Sequence, residues 1–228
     1  MKKMKPLLMI IGGALILLSS CYNDSVYVDQ LDVTLTQYEP EFNYSSYSSF
    51  WMPDSVILKT NYMTDSEIDD FYSSGGTSES TLDLVRQKFI DRGYTFTDDS
   101  STADFIASPT MLLVRQTGAV YYPPGWWWGY PGYGWGYPGY GWGYPGYGWG
   151  HTSYYSYKEG SIVLEMVDGD SYNAIQSWLT GSANDVPDLT IRWLATIDGY
   201  ISSNKEYNAE RAQRGIDEAF EQSPYIKK

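Results

Sequence analysis

The chain has only one cysteine and one histidine among its 228 residues. Structural zinc sites are built from several of these two residue types, so metal clusters that depend on them are excluded. A disulfide within the chain is excluded too, because it needs two cysteines. Packing of the core must therefore stabilise the fold without a covalent crosslink, and we expect neither a bound metal nor a cofactor.

Positive charge is also scarce, since the chain has 15 basic side chains and 28 acidic ones. Three of the lysines lie within residues 1–20, so the remainder carries 12 basic and 28 acidic groups, a formal charge of −16. A protein that binds nucleic acid needs a basic surface to meet the phosphates. This charge, without a basic stripe to offset it, excludes nucleic acid as a partner.

Residues in patterns typical of enzymes are few. His151 lies at the end of a Gly-rich repeat, and no serine occupies a nucleophile elbow. The acidic pairs Asp69-Asp70 and Asp98-Asp99 are adjacent in sequence, which is typical of solvated loop charges rather than of a converging acid and base. We therefore predict a protein that is not an enzyme and has no catalytic residue.

The N-terminal residues have the pattern of a lipoprotein signal peptide. Lys2, Lys3 and Lys5 precede an apolar run from Leu7 to Leu18, which is too short for a membrane-spanning helix. The run leads through two serines into Cys21, an arrangement that resembles the lipobox of bacterial lipoproteins. We predict a signal peptide over residues 1–20, lipidation of Cys21 and a tether over 21–30. The alternative is a secreted protein with one spare thiol.

Hydrophobic periodicity predicts one α+β domain over residues 31–228. We expect a two-layer sandwich in which helices cover one face of a mostly antiparallel sheet. Residues 65–80 are polar and predict a surface loop, with one helical turn near Ile68 as the alternative. Asp168-Gly169-Asp170 predicts a hairpin turn. The predicted strands are 32–37, 49–52, 103–115, 161–167 and 173–180, and the predicted helices are 81–92, 187–203 and a last one that ends at Ser223-Pro224. We expect the last three of these strands to be neighbours in one sheet. The 81–92 helix, capped by Ser80, should pack on that sheet through Leu82, Val85 and Phe89.

A long Gly/Tyr/Pro/Trp repeat interrupts the predicted strands at residues 121–157. No charged residue occurs between Arg115 and Lys158, and Gly-Tyr-Pro-Gly-Tyr-Gly-Trp occurs three times between 129 and 149. Glycine and proline at these positions exclude a helix and favour successive turns. Exposed aromatic rings could bind envelope glycan, another envelope protein or the lipid headgroup layer, or could only contact each other. The candidate ligand-binding residues are Trp126, Trp127, Trp128, Trp135, Trp142 and Trp149.

Several segments in order along the chain are similar to one known family. They are Tyr44–Trp51, Phe89–Tyr94, Ala103–Ile106, Ser161–Asp168, Ile175–Trp178 and Ile216–Pro224. On these segments the chain resembles the bacterial lipoprotein family called domain of unknown function 4136. The resemblance implies a lipidated envelope protein with one α+β domain, and it transfers no catalytic residue because the family has no established activity.

Together these features predict a lipid-anchored protein of the bacterial cell envelope, with the outer membrane as the expected location. The membrane is its partner through Cys21, and the leaflet stays open. The predicted role is binding or scaffolding without catalysis. The alternative is a glycan- or peptidoglycan-binding module that uses the aromatic repeat.

Replacing Cys21 by alanine tests the anchor. We expect the Cys21→Ala chain to take up no labelled palmitate, because the thiol that would carry the lipid is gone, and to accumulate as a precursor or in the soluble fraction. Metabolic labelling and detergent phase partition measure both effects. A variant that is still labelled and still enters the detergent phase would show that the lipobox interpretation is wrong.

Overall fold

The computed structural model describes the backbone of residues 32–122, 151–182 and 185–228, and the side chains of these residues except 115–122 and 151–159. Four α-helices, a short 3₁₀ helix (Tyr44–Ser46) and seven strands form this part of the chain, and the α+β prediction is confirmed. In chain order they are β1 (Val33–Tyr38), β2 (Ser49–Trp51), β3 (Ile57–Thr60), α1 (Asp65–Tyr72), α2 (Thr77–Asp91), β4 (Thr95–Phe96), β5 (Phe105–Tyr122), β6 (His151–Asp168), α3 (Gly169–Leu179), β7 (Ile191–Tyr200) and α4 (Lys205–Glu221).

The strands form one sheet in the order β1-β7-β6-β5-β2-β4 over the described residues, with β3 paired to β5. The centre is antiparallel, since β6 lies between β5 and β7 and opposes both of them. β1 pairs antiparallel with β7, whereas β2 and β3 run parallel to β5. The prediction that the strands near 103–115 and 161–167 are neighbours is therefore confirmed.

The two central strands continue beyond the sheet as a ribbon. β3 pairs with β5 only as far as Leu113, and β7 pairs with β6 only as far as Glu159. Beyond these points β5 and β6 pair only with each other in the described part of the chain, up to Tyr122 opposite His151. Eight residue pairs at about 3.3 Å per residue give a ribbon about 26 Å long. Strand pairing therefore extends into both ends of the predicted 121–157 insertion.

The main core lies between the sheet and the pair of helices α2 and α4. Leu82, Val85 and Phe89 are buried on α2, which confirms the predicted inner face of this helix. The Phe89 ring is within 7 Å, centre to centre, of five other rings, and an edge-to-face contact at 5.0 Å joins it to Phe220 of α4. These partners are Phe50, Tyr94, Phe105, Trp193 and Phe220.

Helix α3 packs on the opposite face of the sheet. Tyr172 of α3 is buried in a smaller cluster with Ile106, Val167 and Ala103. Ile106 and Val167 are directly paired on β5 and β6, and their side chains alternate with those of the main core. The helices therefore cover both faces at different places, whereas the sequence predicted helices on one face.

The prediction of a loop over residues 65–80 is wrong, because α1 and the first turn of α2 occupy it. Thr64 and Glu67 form a capping box at the start of α1, with the Thr64 N–H donating to Glu67 Oε2 at 2.8 Å. α2 begins at Thr77 rather than Thr81, with Gly76 as its N-cap instead of Ser80. A Cβ at Gly76 would lie 2.6 Å from the Asp70 carbonyl oxygen, so this turn requires glycine.

The predicted hairpin at Asp168-Gly169-Asp170 and the strand over 173–180 are also wrong. Asp168 is instead the N-cap of α3, and its Oδ1 accepts a hydrogen bond from the Ser171 N–H at 3.1 Å. Buried Tyr172 and Ile175 are three residues apart, which is the spacing of one helix face. The strand that returns beside β6 is therefore β7 rather than residues 173–180.

The prediction of a helix over 187–203 is wrong for a related reason. Residues 193–197 of β7 are all buried because the strand is covered on both faces. A doubly covered strand is apolar at successive positions rather than alternating. Trp193 and Ile197 are four residues apart, so two buried positions of a strand matched the spacing of one helix face by coincidence.

A polar network around Arg192 joins β7 to the segments before β2 and after β6. Its guanidinium donates to Glu39 Oε2 at 2.5 Å and to Asp168 Oδ2 at 3.1 Å. Tyr47 donates its hydroxyl hydrogen to the same Asp168 oxygen at 2.5 Å. Burial opposes ionisation of Asp168, but the hydrogen bonds from Tyr47, Ser171 and Arg192 outweigh it and hold the pKa of this carboxyl below its ordinary value.

Truncation of Phe89 tests the arrangement of the core. Phe89→Ala should lower the free energy of unfolding by about 3–5 kcal/mol, because a buried ring is lost and a cavity remains. The neighbouring Ile90 is 41% exposed, so Ile90→Ala should change it by less than about 0.5 kcal/mol. Urea denaturation compares the two variants. Equal losses would contradict the placement of Phe89 at the centre of the core.

Candidate functional site

A groove of about 610 Å³ lies between α1 and α4, and we name it the α1–α4 groove. Its floor is one end of the sheet face that also carries the main core. Met111 and Leu113 of β5, Ile162 of β6 and Ile197 of β7 form this floor. The volume lies in the range of small-molecule sites, which are typically apolar clefts with a few polar groups.

Two glycines lie opposite each other in the floor, so two adjacent positions of the floor have no side chain. Gly160 of β6 is paired with Gly199 of β7. A Cβ at Gly160 would lie 3.1 Å from Ile201 Cδ1 and 3.3 Å from Leu113 Cδ2, so it would crowd two residues that line the groove. A Cβ at Gly199 would lie 2.6 Å from Asp32 Oδ1, because an ion pair already occupies that space.

That ion pair closes one end of the groove. The guanidinium of Arg211, which projects from α4, donates from Nε to Asp32 Oδ2 at 2.8 Å and from its second nitrogen to Asp32 Oδ1. It also donates to the Tyr200 carbonyl oxygen. Arg211 is buried, so its charge is compensated by a bidentate partner rather than by water. The pair holds Asp32, just before β1, against α4.

The opposite wall consists of α1 and the turns on either side of it. Phe71 of α1 is buried and faces the floor together with Met63, which precedes the helix. Behind them the turn at Gly75 and Gly76 leads into α2, and Gly75 has a positive φ of 74°. The capping box and this glycine turn therefore set the position of the α1 wall.

The polar groups around the groove mostly hydrogen bond to the protein itself. Asn208 accepts hydrogen bonds from the Ser202 N–H at 3.0 Å and from the Ser202 hydroxyl at 2.9 Å. Glu67 accepts from Thr64 within the capping box. Asp70 and Lys205 lie exposed at the rim. The groove thus combines an apolar floor with a rim whose polar groups largely have partners.

A second cleft, of about 580 Å³, lies beside the start of α2 and is different in character. The Arg86 guanidinium lies 4.7 Å above the centre of the Phe96 ring and donates to Asp83 Oδ1 at 2.9 Å. Its acidic lining residues are Asp54, Glu79, Asp83 and Asp98. Because this cleft is polar and acidic, the α1–α4 groove is the better candidate for an organic ligand.

The residues that the sequence singled out as sites fall elsewhere. Cys21 and the six tryptophans from Trp126 to Trp149 lie outside the described residues. His151 begins β6 opposite Tyr122. Asp69 and Asp70 are exposed on α1, and the pair at 98–99 is exposed after β4. Of these acids only Asp70 reaches the groove.

Sequence reasoning missed the α1–α4 groove because its lining comes from segments far apart in the chain. The segments around residues 32, 63, 111, 160, 197 and 209 meet only once the sheet has formed. Two signals were nevertheless visible. The Thr64 to Glu67 spacing is that of a capping box, and Gly160 and Gly199 lie beside the mostly apolar segments 162–167 and 193–197.

Among residues 32–122, 151–182 and 185–228, none of the helices combines the length and the apolar character that a membrane-spanning segment needs. The same residues contain no group of three or more His, Cys, Asp and Glu side chains that could hold a metal ion.

Comparisons with known proteins bear on the whole domain rather than on the groove. The sequence matches the family model for Domain of unknown function (DUF4136) over residues 34–225. The fold is similar to the crystal structure of a DUF4136 family protein from Bacteroides thetaiotaomicron VPI-5482, with a TM-score of 0.54 and 24% identity over 86% of this chain and 97% of that one.

A crystal structure of a PDZ domain protein from Parabacteroides distasonis ATCC 8503 aligns with a TM-score of 0.39 and 8% identity, over 86% of this chain and 37% of that one. This second likeness is too low to support a conclusion. Comparison with curated proteins gives no match. Since the family model spans most of the chain, the protein belongs to the family of Domain of unknown function (DUF4136).

Proposed function

We propose that the protein is a lipid-anchored, non-enzymatic binding protein of the bacterial cell envelope, and that it binds an apolar ligand in the α1–α4 groove. The observation that carries the binding proposal is the apolar floor of Met111, Leu113, Ile162 and Ile197, which lines a groove between two helices. Met111, Ile162 and Ile197 are each at most 7% exposed, so Leu113 and the walls supply most of the accessible surface. Burial of apolar surface is worth about 25 cal/mol per Å², so a ligand that covers this floor is stabilised without any charged contact.

The state of the polar groups argues for an apolar rather than a charged ligand. Arg211, the buried cation beside the groove, is already held by Asp32 and by the Tyr200 carbonyl. An anionic ligand would also meet the carboxylates of Asp70 and Glu67 on the α1 wall. A ligand with an apolar body and an uncharged polar end fits both conditions.

The predicted anchor places the groove close to the membrane. Asp32, which lines the groove, follows Cys21 by eleven residues. A fully extended chain of that length spans at most about 36–40 Å. A protein lipidated at Cys21 would therefore hold the groove within this distance of the bilayer surface, where apolar ligands are concentrated.

A bulky side chain in the groove should block binding. Ala209 is exposed on α4 and lines the groove, so Ala209→Trp should weaken binding of the dye N-phenyl-1-naphthylamine at least tenfold by occupying its site. Fluorescence titration of residues 22–228, which contain every described element, measures this.

The matched control is Gln213→Trp, one turn along the same helix and outside the groove lining. It should bind the dye like the parent chain, and both variants should melt within a few degrees of it. Absence of saturable dye binding by the parent, or equal binding by Ala209→Trp, would overturn the groove proposal.

A second candidate function, glycan or peptidoglycan binding by the aromatic repeat, is favoured by the ribbon of β5 and β6. Residues 123–150 connect the two strands at its far end, about 26 Å from the sheet. The repeat is therefore attached to the domain at Tyr122 and His151, which lie away from the core. The six tryptophans from Trp126 to Trp149 are the residues that would contact sugar rings in this proposal.

Deletion of the repeat separates this candidate from the groove. Since Tyr122 is paired with His151, an Asn-Gly turn in place of residues 123–150 should close the hairpin. We expect the thermal midpoint to change by only a few degrees, because closing a long loop adds little stability. Sedimentation with isolated cell wall should be lost, while dye binding in the groove is kept.

Replacement of the six tryptophans by serine, with the loop length unchanged, is the control for the aromatic rings and should lose sedimentation equally. Sedimentation that survives the deletion would contradict glycan binding by the repeat. Unfolding of the deletion variant would show that these residues belong to the core.

A further inference from the structure

Strand β1 forms one edge of the sheet over the described residues, and its sequence does nothing to prevent further pairing. Its six residues, VTLTQY, include no charge, no proline and no glycine, and its pairing with β7 is continuous from Val33 to Tyr38. Natural sheets usually protect an edge with charges, prolines, bulges or very short strands. The opposite edge follows that rule, because β4 has only two residues.

The apolar side chains of β1 are left exposed on one face. Val33 is 47% exposed and Leu35 is 52% exposed. Both lie on the sheet face opposite α4, in register with Asp198 and Thr196 of β7. A six-residue edge that carries uncovered Val and Leu is a template for another strand.

The charges at the ends of β1 are compensated within the chain. Asp32 is held by Arg211, and Glu39 is held by Arg192. Two copies could therefore bring these edges together without facing unpaired carboxylates, although the whole chain has a net charge of −13. This compensation makes a second copy an acceptable partner at the edge.

The hydrogen bonds show which backbone groups face outward. Glu39 donates its N–H to the Arg192 carbonyl at 3.0 Å, so odd-numbered residues of β1 bond to β7 and even-numbered residues point to the open side. In agreement, the Thr34 carbonyl oxygen accepts a hydrogen bond from the exposed Gln222 side chain at 3.2 Å. An incoming strand would therefore meet the backbone groups of Thr36 and the Thr34 N–H directly, and it would displace the exposed Gln222 side chain from the Thr34 carbonyl oxygen.

We infer that β1 is a self-association edge, at which two copies of this chain pair antiparallel about a two-fold axis through Leu35. Only registers that place even-numbered residues opposite even-numbered residues join outward-facing groups. Among these, Thr34 opposite the partner's Thr36 also brings the two exposed Leu35 side chains together on one face. Such directly opposed side chains stabilise a strand pair.

An interface of two edge strands is small, at the weak end of protein–protein contacts. Anchoring both copies in one membrane would raise their effective concentration and favour pairing. That point depends on the proposed lipid anchor, whereas the geometry of the edge does not. The dimer would continue the sheet from one copy into the other.

Disulfide trapping in the full chain tests the register. Leu35 and its copy would form a pair without backbone hydrogen bonds, with Cα atoms about 4.5 Å apart, which a disulfide can span. Leu35→Cys should therefore give a crosslinked dimer on mild oxidation of cell-envelope membranes, seen on a non-reducing gel. The parent chain, with Cys21 alone, sets the background.

Gln37→Cys is the matched control on the same face. Gln37 would lie opposite the partner's Val33, about 14 Å from the other Gln37, so its dimer should stay at background. Absence of dimer with Leu35→Cys, equal dimer with Gln37→Cys, or dimer only with Thr36→Cys would overturn the inference.

A proline separates true pairing from chance collision. The Thr36 N–H points away from β7, so Thr36→Pro should leave the pairing with β7 intact while it removes a donor needed by the second copy. In this background the Leu35→Cys dimer should fall at least tenfold, with a thermal midpoint close to that of the parent. Undiminished crosslinking in a folded Thr36→Pro chain would overturn the inference as well.

Discussion

The contact between Phe89 of α2 and the rings around it is the interaction on which most of the fold depends. Its ring meets Phe105 of β5 at 5.2 Å and Phe220 of α4 at 5.0 Å, so one side chain joins two helices to the centre of the sheet. Arg92, just beyond α2, donates to the carbonyl oxygen of Ile226 at 3.0 Å and to that of Phe220. The C-terminal ends of α2 and α4 are thereby fastened together.

The groove follows from that fastening, because it lies at the opposite ends of the same two helices. Thr77 and Lys205, near the N-termini of these helices, line the groove, and α1 and the ion pair between Asp32 and Arg211 form its sides. The well-packed contact at one end stabilises the domain, and the apolar floor lies at the other end, where we propose that a ligand binds.

The sequence was sufficient for the fold class and for the inner face of α2, because one side of this helix is apolar. It also indicated β5 and β6, through one long apolar run and one alternating run, although both strands are buried on both faces. Prediction from the sequence failed for β7 and for α1, where apolar and polar residues do not alternate in the way that identifies the element. β7 is buried on both faces, so Trp193 and Ile197 fit a helix as well as a strand. α1 is short and acidic, and only the Thr64 and Glu67 capping box indicated it. The groove could not be predicted, since Asp32 and Arg211 are 179 residues apart and meet only in the folded chain.

Crystals of the protein pressurised with xenon would test the central claim, that the α1–α4 groove offers an apolar surface ready to receive a ligand. Xenon enters apolar sites and does not replace well hydrogen-bonded water. The account predicts xenon density over Met111, Ile162 and Ile197, lost in Ala209→Trp and kept in Gln213→Trp. A groove that instead holds ordered waters hydrogen bonded to the protein, with no xenon at its floor, would contradict it.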